Sequence, residues 1–269
     1  LAFEPIDFGY LFSGKSNLGT AGGLVACNIS GPRRFKVGSV RDHVLGFKGV
    51  NGRGEIIKSG GVVGPHTSYA LPGRMMLTGL SNDKDHGGAT ALVEYTNEGD
   101  YIATHWMPKD SDLRGAIKSG RFADGFGYDL RALPRRNMMV TSSFTGWNNY
   151  MMNIGDMLAS PEAMAQFGNT VVIWDLHTRQ PKKILDVPGA PLEIRCAWGA
   201  DKNYCFTTTA LTSELWLIYE ADNDWHAKKV ADIGDVNKMP LPVDISITSD
   251  DNFLWVDTWN DGMARLFDI

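Results

Sequence analysis

The sequence of 269 residues predicts an all-β fold over most of its length, a partial β-propeller of about four blade units across residues 62–269. Three observations predict it. A strand–turn–strand phrase recurs, each copy is followed by a further strand of alternating character, and the turns consist of residues that preset or tolerate tight backbone geometry. Near residues 60–65 a Gly-dense stretch with few aromatics gives way to one rich in Trp, Tyr, Met and Thr, so residues 1–61 are read as a separate piece.

The elements follow in order. ALPGRMMLTG (70–79) opens the first unit, and ALPRRNMMVTS (132–142) repeats it with one residue added at the turn. IRCAWGADKNYCFTTT (194–209) and ISITSDDNFLWVDT (245–258) are looser copies, each a strand, a polar turn and a strand. Third strands are expected at ATALVEYT (89–96), TVVIWDLHT (170–178), ELWLIYEA (214–221) and ARLFDI (264–269). YIATHWM, PKKILDV and AKKVADI supply a fourth strand to the first three units. Repeated three- or four-stranded antiparallel units spell propeller blades rather than an α/β fold. Two insertions break the period, at 110–127 and 146–169. The second places Met, Ile, Leu, Ala and Phe at helical spacing and offers Ser160-Pro161-Glu162 as a helix start, which predicts a short helical excursion.

Composition narrows the function classes. With 43% hydrophobic residues the chain has material for a sizeable core, and a net charge of −5 from well-mixed acids and bases leaves no basic stripe for nucleic acid. No apolar run reaches the ~20 residues that span a bilayer, and the N-terminus lacks a signal peptide's basic start and apolar core. The expectation is a soluble protein, cytoplasmic or periplasmic, whose N-terminus is truncated. Cys27, Cys196 and Cys205 form no CxxC pair and are expected to be reduced, mostly buried thiols.

Four long phrases carry a family resemblance. They are GPHTSYALPGRMMLTGLSNDKDHGGATALVEYTNEGDYIATHWMP, GYDLRALPRRNMMVTSSFTGWNNY, FGNTVVIWDLHTRQPKKILDVPGAPLEIR and PLPVDISITSDDNFLWVDTWNDGMARLFDI. Together they resemble the selenium-binding protein/methanethiol oxidase family across residues 62–269. The resemblance implies an oxidoreductase that turns methanethiol, oxygen and water into formaldehyde, hydrogen sulfide and hydrogen peroxide, with a small thiol as substrate and copper as metal. Copper accepts imidazole and thiolate donors, which suits histidines converging from several blades. His66, in the HTS element, matches a family histidine that faces the metal. His86 reads as a solvated loop residue, and His105, His177 and His226 as packing residues on or beside outer strands. The family's paired histidines, its CSSC-like cysteine element and its histidine near the chain end have no counterpart here. One ligand does not hold a catalytic copper, so the resemblance implies a chain inactive on its own and says nothing definite of selenium.

Residues 1–61 resemble a different family. GTAGGLVACNISGPRRFKVGSVRDHVLGFKGVNGRGEIIKSGG is similar to part of the α+β FAD-binding domain of the glycolate oxidase GlcE-type subunit. That resemblance places Thr20, Gly22 and Gly23 by the flavin pyrophosphate, where glycine lets backbone amides approach phosphate oxygens. It also makes Asn51-Gly52 the turn of a hairpin. Only about a quarter of a flavin domain is matched, so FAD binding by the fragment is not expected. Three readings follow: a methanethiol oxidase-type chain with an incomplete metal site, a piece of a flavin-linked 2-hydroxy-acid oxidase, and a chimera of two fragments without activity. A propeller arc of four units also leaves blade edges exposed, which predicts self-association.

Overall fold

The structure is a computed structural model that describes residues 13–16, 20, 49–50, 53–87, 89–108 and 123–269. The chain divides into two compact units, Leu1–Val50 and Asn51–Ile269. In the first unit Ser13 to Ser16 and Thr20 are exposed. The second unit holds the predicted blades.

Each blade is an antiparallel sheet whose strands lie side by side in chain order. Blade one comprises β1 (Val62–Leu71), β2 (Arg74–Asn82), β3 (Ala91–Thr96) and β4 (Tyr101–Trp106); blade two comprises β5 (Leu130–Leu133), β6 (Met138–Ser142), β7 (Thr170–Asp175) and β8 (Pro181–Asp186). Blade three runs through β9 (Pro191–Cys196), β10 (Tyr204–Thr209), β11 (Glu214–Ala221) and β12 (Asp224–Asp232). Blade four has three strands, β13 (Pro242–Ile247), β14 (Phe253–Thr258) and β15 (Ala264–Asp268). The turns behave as their residues predict. Gly73 takes φ 69° where β1 reverses into β2, and Asn137, the residue added in the second copy, takes φ 48° before β6.

Blades stack through three apolar layers, and the period of two in each strand decides which side chain enters which layer. Met76 and Leu92 of blade one meet Met139, Val172 and Trp174 of blade two. The intervening Met138, Val140, Val171 and Ile173 point the other way, onto Ile194, Cys205 and Ile218 of blade three. Phe206 and Leu215 continue onto Ile245, Leu254 and Val256 of blade four. Both faces of β7 are therefore covered, and all six of its residues are buried. In β14 burial alternates instead: Leu254 and Val256 are fully buried while Phe253 and Trp255 remain 39% and 44% exposed. Polar clasps cross the same seams. Buried Glu94 of β3 accepts hydrogen bonds from Arg179 in the β7–β8 turn at 2.7 Å and pairs with His105 at 3.0 Å.

The thiol expectation is corrected. Cys196 and Cys205 are register partners on β9 and β10, with Cα atoms 3.8 Å apart, and form a disulfide. Their spacing looks scattered along the chain, but the polar turn between them folds the two strands back so that the side chains face each other. Cys27 lies outside the described residues. The helical excursion forms as expected in three short pieces: a 3₁₀ turn at Trp147–Met151, α1 (Ile154–Ala159) and α2 (Pro161–Met164). Ser160 caps α2 by accepting a hydrogen bond from the Ala163 amide at 3.2 Å, with Pro161 in the first turn. Most of the insertion at 110–127, and the Asn51-Gly52 turn, lie outside the described residues. Among the described residues no helix is long and apolar enough to cross a membrane.

Candidate functional site at the inner strands

The first strands of the sheets, β1, β5, β9 and β13, approach one another in succession and form the inner edge of the blade array. Three of them carry one phrase: Asp129-Leu130-Arg131 at β5, Glu193-Ile194-Arg195 on β9 and Asp244-Ile245-Ser246 on β13. The aliphatic member is buried each time, so strand alternation turns the residues on either side of it to the opposite face.

Asp129 is the hub. It is fully buried, yet its carboxylate gathers donors from three blades. Oδ1 accepts from the Thr67 hydroxyl of β1 at 2.9 Å, the Leu130 amide at 2.8 Å and Arg131 Nη1 at 2.7 Å. Oδ2 accepts from the Ile194 amide at 2.7 Å and Arg195 Nη1 at 3.2 Å. A buried carboxylate is costly unless its lone pairs are filled, and here two backbone amides, a hydroxyl and two guanidinium groups fill them. Arg195 also reaches Glu193 Oε2 at 2.8 Å and, through Nη2, Asp244 at 3.0 Å on blade four. Burial, and then the neighbouring Asp129 carboxylate, push Glu193 up to about 7, against the lowering pull of Arg195.

His66 stands beside this network on β1. Its ring lies 4.0 Å from that of Tyr128, and Nδ1 is 3.2 Å from both the Thr67 hydroxyl and the Tyr128 carbonyl. Tyr128 begins an aromatic cluster that continues edge-on to Phe144 and from there to Tyr150 and Phe167. The Tyr150 hydroxyl is buried with no hydrogen-bond partner among the described residues, and burial pushes it well above the ordinary phenol value. The site is thus polar on the β5 and β9 side and aromatic on the His66 side.

The other described histidines do not join it. His86 is exposed in the β2–β3 loop near Trp147, His105 is tied to Glu94, His177 is exposed, and His226 faces Tyr219 across β11 and β12. Among the described residues no group of three His, Cys, Asp or Glu comes together to hold a metal ion. His66 alone does not fit a copper centre, so no step is drawn through that metal. Gly22 and Gly23 lie outside the described residues. The sequence reading missed Asp129, Glu193 and their arginines, although the repeated acid–aliphatic–arginine phrase was there to be read as an inner-strand signature.

Residues 46–269 match the family described as 56kDa selenium binding protein (SBP56). The chain belongs to that family. It is 66% identical over 213 residues to a methanethiol oxidase of Ruegeria pomeroyi, covering 78% of this chain and 49% of that protein. A methanethiol oxidase of Hyphomicrobium sp is 53% identical over 210 residues, with coverage of 78% and 46%. The human methanethiol oxidase is 26% identical over 217 residues, 76% of this chain and 43% of that one. The chain therefore spans about half the length of the curated relatives it matches. Among solved structures, a hypothetical selenium-binding protein from Sulfolobus tokodaii superposes with a TM-score of 0.61 at 22% identity, covering 80% of this chain and 50% of that one. That likeness bears on the fold, which it shares.

Proposed function

We propose that this selenium-binding family chain is of methanethiol oxidase type: methanethiol, oxygen and water give formaldehyde, hydrogen sulfide and hydrogen peroxide. The observation that carries the reading is the 66% identity to the Ruegeria pomeroyi enzyme over most of the chain. The inner-strand site is compatible with it. Aromatic rings beside His66 favour a soft, weakly polar sulfur compound, since a sulfur at a ring edge gains dispersion that a charged substrate would lose to desolvation. Copper is the metal this reading implies. One imidazole does not hold it, so the reading requires donors in addition to the described residues.

The experiment supplies ¹³C-methanethiol to the purified chain in air and follows labelled formaldehyde. Labelled formaldehyde above the protein-free control supports the reading, and methanethiol recovered unchanged under copper-supplemented conditions removes it. A further part of the reading is that the 269-residue chain self-associates through apolar side chains exposed on blade four. Phe253, Trp255 and Leu266 stand exposed there, and β15 pairs only with β14 in its sheet.

A further inference from the structure

The inner-strand phrase is used in two ways. At Asp129 and Asp244 the short acid turns back onto its own strand, accepting the next residue's amide, Leu130 at 2.8 Å and Ile245 at 2.7 Å. Glu193 occupies the same place on β9 with one more methylene, and the amide it would serve, that of Ile194, donates to Asp129 across the blade seam at 2.7 Å. Glu193 is thereby released from the backbone duty its counterparts perform. Its side chain is 15% exposed and meets Arg195 of its own strand at 2.8 Å, with Arg131 3.7 Å away and the Asp129 carboxyl beside it on the β5 side. A departure from an internal repeat that adds nothing to the backbone's hydrogen bonding is where a functional role is to be sought.

We propose that Glu193 is the proton-exchanging group of the inner-strand site and takes the proton of a small thiol bound there. The thiol as proton source rests on the methanethiol reading; the proton exchange rests on the place of Glu193 between Arg131 and Arg195, supported by its raised affinity for protons. In the step, the S–H bond breaks and an O–H bond forms on the Glu193 carboxylate. The electron pair stays on sulfur, and the negative charge passes from carboxylate to thiolate beside the Arg131 and Arg195 guanidinium groups. The charged groups facing Glu193 are Asp129 and Arg131 from the β5 side, Arg195 on its own strand and, through Arg195, Asp244 on β13. Burial and the Asp129 carboxylate make Glu193 a stronger base than an ordinary glutamate, which narrows its gap to an alkyl thiol, a weaker acid.

The test has two readouts on the native chain and on Glu193→Gln. Infrared titration of protein carrying ¹³C-carboxyl glutamate should show a protonated-carboxyl band lost between about pH 6 and 8 in the native chain and missing from the variant. Methanethiol turnover should fall ~10²-fold in kcat/KM for Glu193→Gln with loss of the acidic limb of its pH profile, whereas Glu193→Asp keeps a displaced limb. A native band that is already fully ionised at about pH 5, or a Glu193→Gln pH profile identical to the native one, overturns the proposal. Should the band titrate as expected while the native chain leaves methanethiol untouched, the proton exchange stands and the thiol as its source is overturned.

Discussion

Asp129 and Glu193 sit on neighbouring inner strands and do opposite work. Replacing Asp129 by Ala strands two guanidinium groups and two backbone amides that now share its carboxylate. The expected loss is about 3–5 kcal/mol of unfolding free energy, read from the midpoint of a urea titration. Glu193 should behave in reverse. Its folded value lies near 7, above its ordinary 4.5, so the folded state binds the proton more tightly than the unfolded chain does. No penalty exists below the unfolded value; between the two values stability falls as pH rises, and above the folded value the full cost of the ionised group remains. Glu193→Gln should therefore melt higher than the native chain at pH 8 and alike at pH 4, by an amount on the order of 1–3 kcal/mol at the higher pH. Both acids lie in the repeated acid–aliphatic–arginine phrase, but the sequence does not show that they meet. His66 stands out through the HTS element, whereas Asp129 gains its role from donors 62 and 66 residues away in the chain.

At the scale of strands and turns the sequence was highly legible, because hairpins are local. ELWLIYEA is β11 to the residue, and the added turn residue of the second copy is Asn137, the left-handed position before β6. Less legible was which strand is covered on both faces. TVVIWD is expected as a strand of alternating character, yet all six of its residues are buried, whereas burial does alternate along FLWVDT. The cysteine pairing was missed for the same reason, since register across a turn, not spacing, brings Cys196 to Cys205. Removing that crosslink with Cys196→Ser and Cys205→Ser together should cost about 2–3 kcal/mol by loop entropy. Thiol titration of the denatured native chain, alkylated before reduction, should find neither cysteine reactive.

For the whole molecule, blade units and their order were readable from repetition, and the stacking that joins them was not, because it depends on which face each side chain takes. Blade four supplies a prediction of its own, because Phe253, Trp255 and Leu266 are exposed on it in the 269-residue chain. Sedimentation of the native chain should show mass rising with concentration, and Trp255→Lys with Leu266→Lys should hold it at 29.6 kDa without lowering its melting temperature. A concentration-independent native monomer would remove the self-association reading. The proposed methanethiol oxidase chemistry at the inner strands can be checked by recording oxygen uptake, hydrogen sulfide and hydrogen peroxide together after methanethiol is added to the purified, copper-supplemented chain. The three should change in equal amounts, and Glu193→Gln should slow all three together; no oxygen uptake, or uptake without hydrogen sulfide, would rule that chemistry out.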